Sequence, residues 1–346
     1  MSASDIITGI IKVLLNYKVY AAIFIPGLIA ATIVLLTIIW AERKIAARVQ
    51  MRYGPLYVSR PIGGYLQLIA DGIRIVFQEV IITRDAERYL YIMGPILLFT
   101  IALLPVCFIP VSPQVIAVGL ESGVINVAVL IALALILYSS IFAIIIGWAV
   151  NNKFTYIGSV REALMCTAYE IPIIISVLAM IITYGTANPF EIVNKQFIPG
   201  ALMNPIAFIT FIIGMAMATS RFPFEIAEYE QDVILGPYTE YSGILFALSM
   251  GSSYVKLYSL SLLATLLFFG GWAPIYPAPN DFIGNYVIAP IWVFIKTLII
   301  MLFMVTLRAF YPVIRLDQTL RLSWKGLFTL SIISLIVGFG WYLYFH

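Results

Sequence analysis

Eight apolar stretches, each near the length needed to cross a bilayer, divide this chain at about 19–40, 91–112, 124–150, 163–184, 203–219, 243–269, 287–307 and 325–345. A hydrocarbon layer about 30 Å thick takes on the order of 20 helical residues, and only structures that satisfy every backbone N–H and C=O internally can stand in it. The expected fold is therefore all-α, a polytopic integral membrane protein with about eight transmembrane helices. Hydrophobic residues make up 62% of the 346, charged residues only 11%, and the mean hydropathy is +1.02. A soluble domain cannot bury that much apolar side chain. No Gly/Ser linker, charge block or long polar region sets off a second unit, so residues 1–346 read as a single membrane domain.

The cations orient the spans. Fifteen of the twenty (Arg43, Lys44, Arg48, Arg52, Arg60, Arg74, Arg84, Arg88, Lys153, Arg161, Arg221, Arg308, Arg315, Arg321 and Lys325) fall in the segments after runs 1, 3, 5 and 7. The opposite side holds only Lys12, Lys18 and Lys195, while Lys256 and Lys296 lie within runs. The positive-inside rule then makes the loops after runs 1, 3, 5 and 7 cytoplasmic and leaves both termini outside a cell membrane. Residues 1–18, with Asp5, Lys12 and Lys18 and no small-residue cleavage site, read as a short amphipathic lead-in rather than a secretory leader.

Redox chemistry within the chain is excluded by composition. Cys107 and Cys166 stand singly in apolar context, too few thiolates for an iron–sulfur cluster, and each reads as a small buried hydrophobe. The one histidine, His346, rules out the paired histidines of a membrane haem. Neither a phosphate-binding glycine loop nor a Ser/His/Asp set stands out.

The charges that remain are concentrated. Glu225, Glu228, Glu230, Asp232 and Glu240 place five carboxylates within sixteen residues of the loop 220–242, between two apolar runs. Carboxylates beside lipid are costly and mark functional sites by default. A helix over 224–235, with Pro223 in its first turn and Gly236-Pro237 stopping it, would align Glu225, Glu228 and Asp232 on one face and turn Glu230 away. Three such carboxylates repel one another and would titrate as a coupled set, with Arg221 the nearest counter-charge. The alternative is a solvated acidic helix start suited to the macrodipole. Glu170 lies inside the fourth run, either as a hydrogen-bonded bundle carboxylate or as a buried proton relay. Lys256 and Lys296 either snorkel or neutralise an acid structurally, or take part in function.

Residues 41–90 mix charge with Leu66, Leu68, Ile69, Ile73, Ile75, Val76 and Phe77 at helical spacing, broken at Gly54-Pro55 and Pro61-Ile-Gly63-Gly64. That pattern fits amphipathic helices lying along the membrane or against a soluble partner. Glu42, Arg43 and Lys44, with Arg48, Arg52, Asp71, Arg74, Glu79, Tyr53, Tyr57 and Tyr65, are either an interfacial anchor or a slot for an amphipathic lipid-soluble ligand.

Taken in order, these motifs resemble one family of membrane subunits of respiratory complex I, the family that contacts the hydrophilic arm and forms the quinone chamber. The resemblance rests on Glu42-Arg43-Lys44 with Arg48…Gln50-Met51-Arg52-Tyr53-Gly54-Pro55, Ala70-Asp71-Gly72…Glu79, Asn151-Asn152-Lys153…Gly158…Arg161, Tyr169-Glu170, Arg221-Phe222-Pro223-Phe224-Glu225, Glu240-Tyr241-Ser242-Gly243, Gly270-Gly271-Trp272 and Arg315-Leu316-Asp317-Gln318…Trp324-Lys325, and it covers about 19–345. It implies eight spans and a quinone chamber whose matched positions are Glu42, Arg43, Gln50, Arg52, Asp71, Arg221, Glu225 and Arg308. It also implies a proton-coupling line matched by Glu170, Glu228, Glu230, Asp232 and Glu240. The chain would hold no cofactor by metal ligands or covalent bonds and would take quinone as substrate. Iron–sulfur clusters would sit in partner subunits. The implied partners are hydrophilic quinone-module subunits, small membrane subunits, antiporter-like subunits and lipid, with no nucleic acid.

Three departures stand against the family pattern. Ala218 occupies the place of a usual glutamate, Glu225 that of a usual aspartate, and Val313 that of a usual arginine. They suggest an archaeal-type member and leave the electron donor open. The rival readings are the homologous subunit of an energy-converting membrane-bound hydrogenase, which uses no quinone, and a standalone ion transporter.

Overall fold

The computed structural model describes residues 26–113, 124–277, 281 and 283–345; the amphipathic segment expected at 1–18, the beginning of the first apolar run and His346 lie outside the described residues. Among the described residues every regular element is helical. The α-helices longer than one turn are α1 (Leu28–Val49), α2 (Gln67–Val76), α3 (Arg88–Leu103), α4 (Ala128–Ala149), α5 (Lys153–Tyr184), α6 (Pro189–Lys195), α7 (Pro205–Ala218), α8 (Gly243–Phe268), α9 (Ala289–Phe310), α10 (Leu316–Arg321) and α11 (Phe328–Phe345). Asparagines open three of them: Asn152, Asn188 and Asn204 accept the backbone N–H of Phe154, Phe190 and Ala207 at the starts of α5, α6 and α7. Pro189 and Pro205 follow two of these caps at the first helical position, where a missing N–H costs nothing.

Among the described residues five helices are long and apolar enough to cross a membrane: Arg88–Phe108, Ile125–Ala149, Lys153–Tyr184, Gly284–Phe310 and Leu316–Tyr344. They match the second, third, fourth, seventh and eighth apolar runs. The fifth run is the 14-residue α7, about 21 Å long at 1.5 Å per residue, less than a hydrocarbon layer. The sixth is α8, which carries Lys256 and five serines, and the first ends in α1, which continues past its apolar part through Glu42, Arg43, Lys44 and Arg48. α5 also begins ten residues before its apolar run, at Lys153, which brings Arg161 and Glu162 onto a helix.

α5 is the central strut, packed on α4, α7 and α11, while α8 packs on α3 and α9, and α9 on α1. Lipid is as apolar as leucine, so these helices gain little from burying oily side chains and depend on close packing and hydrogen bonds. The buried serines and threonines answer that need: Ser159, Thr183, Thr210, Thr219, Ser249 and Thr265 all donate to carbonyls one turn back on their own helices. Ser259 also bonds the Ala102 carbonyl of α3, and Asn204 the Ser334 carbonyl of α11.

Residues 41–90 hold less helix than their spacing suggests. After α1 the chain turns through 50–66, where Gly64 adopts φ +81° and lies so close to the Pro55 backbone that a side chain there would collide with it. Only α2 follows as a helix; Leu68 is buried, while Ile69, Ile73, Val76 and Phe77 are exposed. The helix expected over 224–235 does not form. Residues 221–229 run without helix around a cis Phe222–Pro223 bond, and only Glu230–Val233 makes a single turn. Tertiary contacts outweigh local propensity there: Phe224, Ile226 and Ala227 are all buried, and the carbonyls of Pro223 and Ile226 accept from Ile314 N and Arg161. An acidic helix would instead hold three carboxylates on one stripe.

α5 locks this loop by close approach. A Cβ on Gly158 would lie 2.6 Å from Gly236 Cα and 2.8 Å from Pro237 N, both fixed backbone. Gly158→Ala should therefore destabilise the protein by about 1–3 kcal/mol, read as a lower melting temperature of the detergent-solubilised protein. An unchanged melt would contradict this packing.

Candidate functional site

Glu42 lies two residues beyond the first apolar run, yet it is only 4% exposed. Its carboxylate gathers donors from three distant parts of the chain. Arg221 Nη1 lies 3.1 and 3.0 Å from its two oxygens, Arg308 Nη1 2.6 Å from Oε1, and the Tyr254 hydroxyl 2.8 Å from Oε2. The Arg221 guanidinium also sits over the Tyr254 ring at 3.9 Å, and Arg308 over Phe222 at 5.2 Å. Arg221 reaches this position because α7 ends at Ala218 and Ser220, at φ +46°, turns the chain inward. Burial works against the charge of Arg221, but Tyr254 and Glu42 more than offset it and raise its pKa further. Its hydrogen-bonded counter-charge is thus Glu42, 179 residues away in sequence, and the charge of Glu228 in its own loop acts on it as well.

Two cavities flank this clamp. One, about 480 Å³, is lined by Glu42, Arg43, Gln50, Arg52, Tyr53 and Gly54, with Tyr254 and Arg308 at its back. The other, about 330 Å³, is lined by Ser220, Arg221, Phe222, Glu225 and Glu228, again with Tyr254 and Arg308. Arg43 binds Asp71 of α2 at 2.7 Å, and Arg52 binds Gln50 at 2.8 Å. Lys44 donates to the carbonyls of Pro55 and Gly63, and Trp40 to Gly63, so the 50–66 turn is fastened to α1. The eight residues expected to surround one chamber are thereby brought together: seven line the paired cavities, and Asp71 joins through Arg43. A wall of guanidinium and phenol donors beside apolar surface suits a ligand with a polar oxygen-bearing head and an apolar tail.

A third, inner cavity of about 30 Å³ opens behind the second. Glu228, Ser220 and Ser253 line both; further in lie Ser139, Ser140, Glu162, Ala218, Tyr238, Ser252 and Lys256. Burial, with the charges of Glu162 and Glu225 next, pushes the Glu228 carboxyl up to about 8, against the pull of Arg221 and Arg308. It therefore exchanges a proton near neutral pH.

The other expected proton-coupling residues stand apart from this cavity. Asp232 pairs with Arg161 at 3.1 Å with its side chain 56% exposed, a pairing that contributes little to stability. Glu240 accepts from Asn152 Nδ2 at 2.6 Å beside the start of α5. Glu170 accepts from Cys166 Sγ one turn back on α5. Glu230 stands in the single turn 230–233, and its side chain lies outside the described residues. Glu162, Ser140, Tyr169 and Tyr254 join the site without having been expected there, and Lys256, open between a structural and a functional role from the sequence, lies with them. Glu162, Cys166 and Glu170 repeat at i, i+4 and i+8, a helical stripe in the sequence that could have pointed to Glu162. Among the described residues no group of three or more His, Cys, Asp or Glu side chains could hold a metal ion.

Glu42→Ala removes the acceptor of two guanidinium groups, one of them buried, and should destabilise the protein by about 3–5 kcal/mol; a change below about 1 kcal/mol in the melting of the purified protein would argue against the clamp. Glu228 makes a second prediction. Its folded pKa, about 8, lies above the ordinary 4.5, so its contribution to stability is whole below about pH 4.5 and is lost as pH rises through 8. Glu228→Gln should flatten the fall in melting temperature between about pH 5 and 9; parallel curves for the two proteins would contradict the shift.

The sequence pattern of the NADH dehydrogenase family matches residues 21–339. The H subunit of the NADH-quinone oxidoreductase of Dehalococcoides mccartyi (strain CBDB1) is 31% identical over 323 residues, covering 93% of this chain and 87% of that protein. The protein of the same name from Geobacillus sp. (strain WCH70) is 34% identical over 300 residues, covering 86% of each chain. With the family pattern spanning nearly the whole sequence and these relatives aligned along most of their own length, this chain belongs to the NADH dehydrogenase family.

Proposed function

We propose that this chain is a membrane subunit of a complex I-like quinone oxidoreductase, where it forms the quinone chamber and couples quinone reduction to proton translocation. The observation that carries this reading is the placement of Glu228, which lines both the cavity walled by Arg221, Tyr254 and Arg308 and the inner polar cavity. A quinone head group in the outer cavities would face the donors of Arg43, Arg308 and Tyr254, with the α1–α2 turn forming the way in. Reduction of a quinone creates negative charge and takes up protons. Negative charge beside the clamp would raise the cost of an ionised Glu228 and favour its protonation.

The chain is proposed to act as one membrane domain of about eight spans, with both termini outside and the loops after spans 1, 3, 5 and 7 in the cytoplasm. Its sided distribution of cations supports that orientation, and one buried core draws on residues from Ala31 to Leu327. Electrons would come from an iron–sulfur cluster of a hydrophilic partner subunit docked against the cytoplasmic loops. Small membrane subunits and antiporter-like subunits would receive the coupled signal. The names of the relatives favour a quinone enzyme over the hydrogenase alternative.

Two measurements on the assembled complex test this reading. Arg43→Ala should raise the apparent KM for quinone several-fold with assembly intact, and an unchanged KM would count against the chamber. Glu228→Gln and Glu170→Gln should each lower quinone-linked proton pumping in sealed vesicles; normal pumping in both would sink the coupling role.

A further inference from the structure

Lys256 stands where a lysine is hardest to keep. It lies on α8, whose residues from Val255 to Phe268 are all buried, and it is itself only 6% exposed. It does not snorkel. Its Nζ donates to Ser140 Oγ at 2.6 Å and to the Tyr169 hydroxyl at 3.2 Å, and those two hydroxyls bond each other at 2.6 Å. The ammonium also sits 5.1 Å from the centre of the Tyr169 ring. Two of its three protons are thus held by hydroxyls of α4 and α5, and the carboxylate whose charge acts most strongly on it is Glu162.

Glu162 is 8% exposed and lines the same cavity as Lys256 and Glu228. The charged and titratable groups acting on this region come from few elements. α5 supplies Glu162, Cys166, Tyr169 and Glu170, and the loop after α7 supplies Glu228 and Tyr238. α3 and α4 present Leu98, Ser139, Ser140 and Ala143, none of which titrates, and α7 presents Ala218. One cation therefore stands with two carboxylates, Glu162 and Glu228, in a cavity otherwise walled by hydroxyls and apolar groups. A buried carboxylate and a buried ammonium in one cavity each lower the cost of the other's charge.

We propose that Lys256 and Glu162 form the inner proton station of this subunit, doing the work of the acid absent at Ala218. The inference rests on the coupling role proposed for Glu228 and extends it one step inward. In that step the Glu228 carboxylic acid gives up its proton, and the Glu162 carboxylate takes it. Glu228 is left as the carboxylate, Glu162 as the neutral acid, and the Lys256 ammonium stays charged throughout. Ser220 and Ser253 line both cavities, and serine hydroxyls donate and accept at once, so they can pass the proton. The 30 Å³ of the inner cavity also suffices for a water molecule. Lys256 is a positioning residue: its charge offsets part of the cost that burial puts on an ionised Glu162, and it draws the proton inward only while both groups share the cavity.

The test uses the whole complex, purified and reconstituted in sealed vesicles, reading quinone reduction and protons moved per electron pair together. Glu162→Gln keeps the shape of the side chain and should lower the proton ratio at least twofold while quinone reduction continues. Lys256→Met leaves a lone buried carboxylate and should lower the ratio further, with poorer assembly. The double variant, Lys256→Met with Glu162→Gln, removes both charges and should recover assembly without recovering the proton ratio. A pair that is only structural gives the opposite: a double variant that assembles and pumps as the parent does, or Glu162→Gln pumping normally. Either result overturns the proposal. Glu228→Gln, run beside them, separates the two levels. If it pumps normally, the coupling role of Glu228 itself fails; if it is impaired while the Lys256 and Glu162 variants pump normally, only the inner station fails.

Discussion

One carboxylate holds the working side of this subunit together. Glu42 draws Arg221, Arg308 and Tyr254 from three separate parts of the chain onto the end of α1. A buried guanidinium without a partner is strongly unfavourable, and so is a buried carboxylate, so these groups are stable only as a unit. That unit fixes how α1, α8, α9 and the loop after α7 meet. Its outer faces are the back walls of two cavities, and any ligand charge placed there is felt by the same arginines that partly offset the charge of Glu228. In the proposed function, structure and coupling would therefore run through the same contacts.

The second organising constraint is the packing of the acidic loop. The apolar side chains of Phe224, Ile226 and Ala227 are buried, and Gly236 meets Gly158 at backbone distance. This arrangement separates the carboxylates that the sequence places side by side. Glu228 turns to the interior, Asp232 goes to Arg161 at the surface, and Glu240 goes to Asn152. Separation leaves Glu228 beside the inner cavity while Asp232 and Glu240 take partners from α5 and its cap. The rarity of charge in the chain is what makes each such placement consequential.

Much of this was legible from the residues. Apolar length gave the helical membrane class, because lipid leaves no other use for such runs. The residues that line the two cavities were also legible, since Glu42-Arg43, Gln50…Arg52 and Arg221 sit in motif context. What the sequence hid was long-range pairing. Nothing local says that Arg221 answers Glu42 rather than Glu225, or that Tyr254, in the middle of an apolar helix, completes that pair. Helical reasoning failed at 224–235 because propensity and charge spacing say nothing of the buried faces that the loop must present to α5. Lys256 was visible as an oddity and Glu162 was not, and their shared cavity exists only once α5 and α8 are placed.

The central claim is that Glu228 is a protonatable switch between the quinone-side cavities and the interior. Infrared difference spectra of the complex, recorded on quinone reduction, test it most directly. The account predicts a carboxylic-acid C=O band that responds to reduction in the parent complex and is missing in Glu228→Gln. Identical spectra for the two complexes would contradict it.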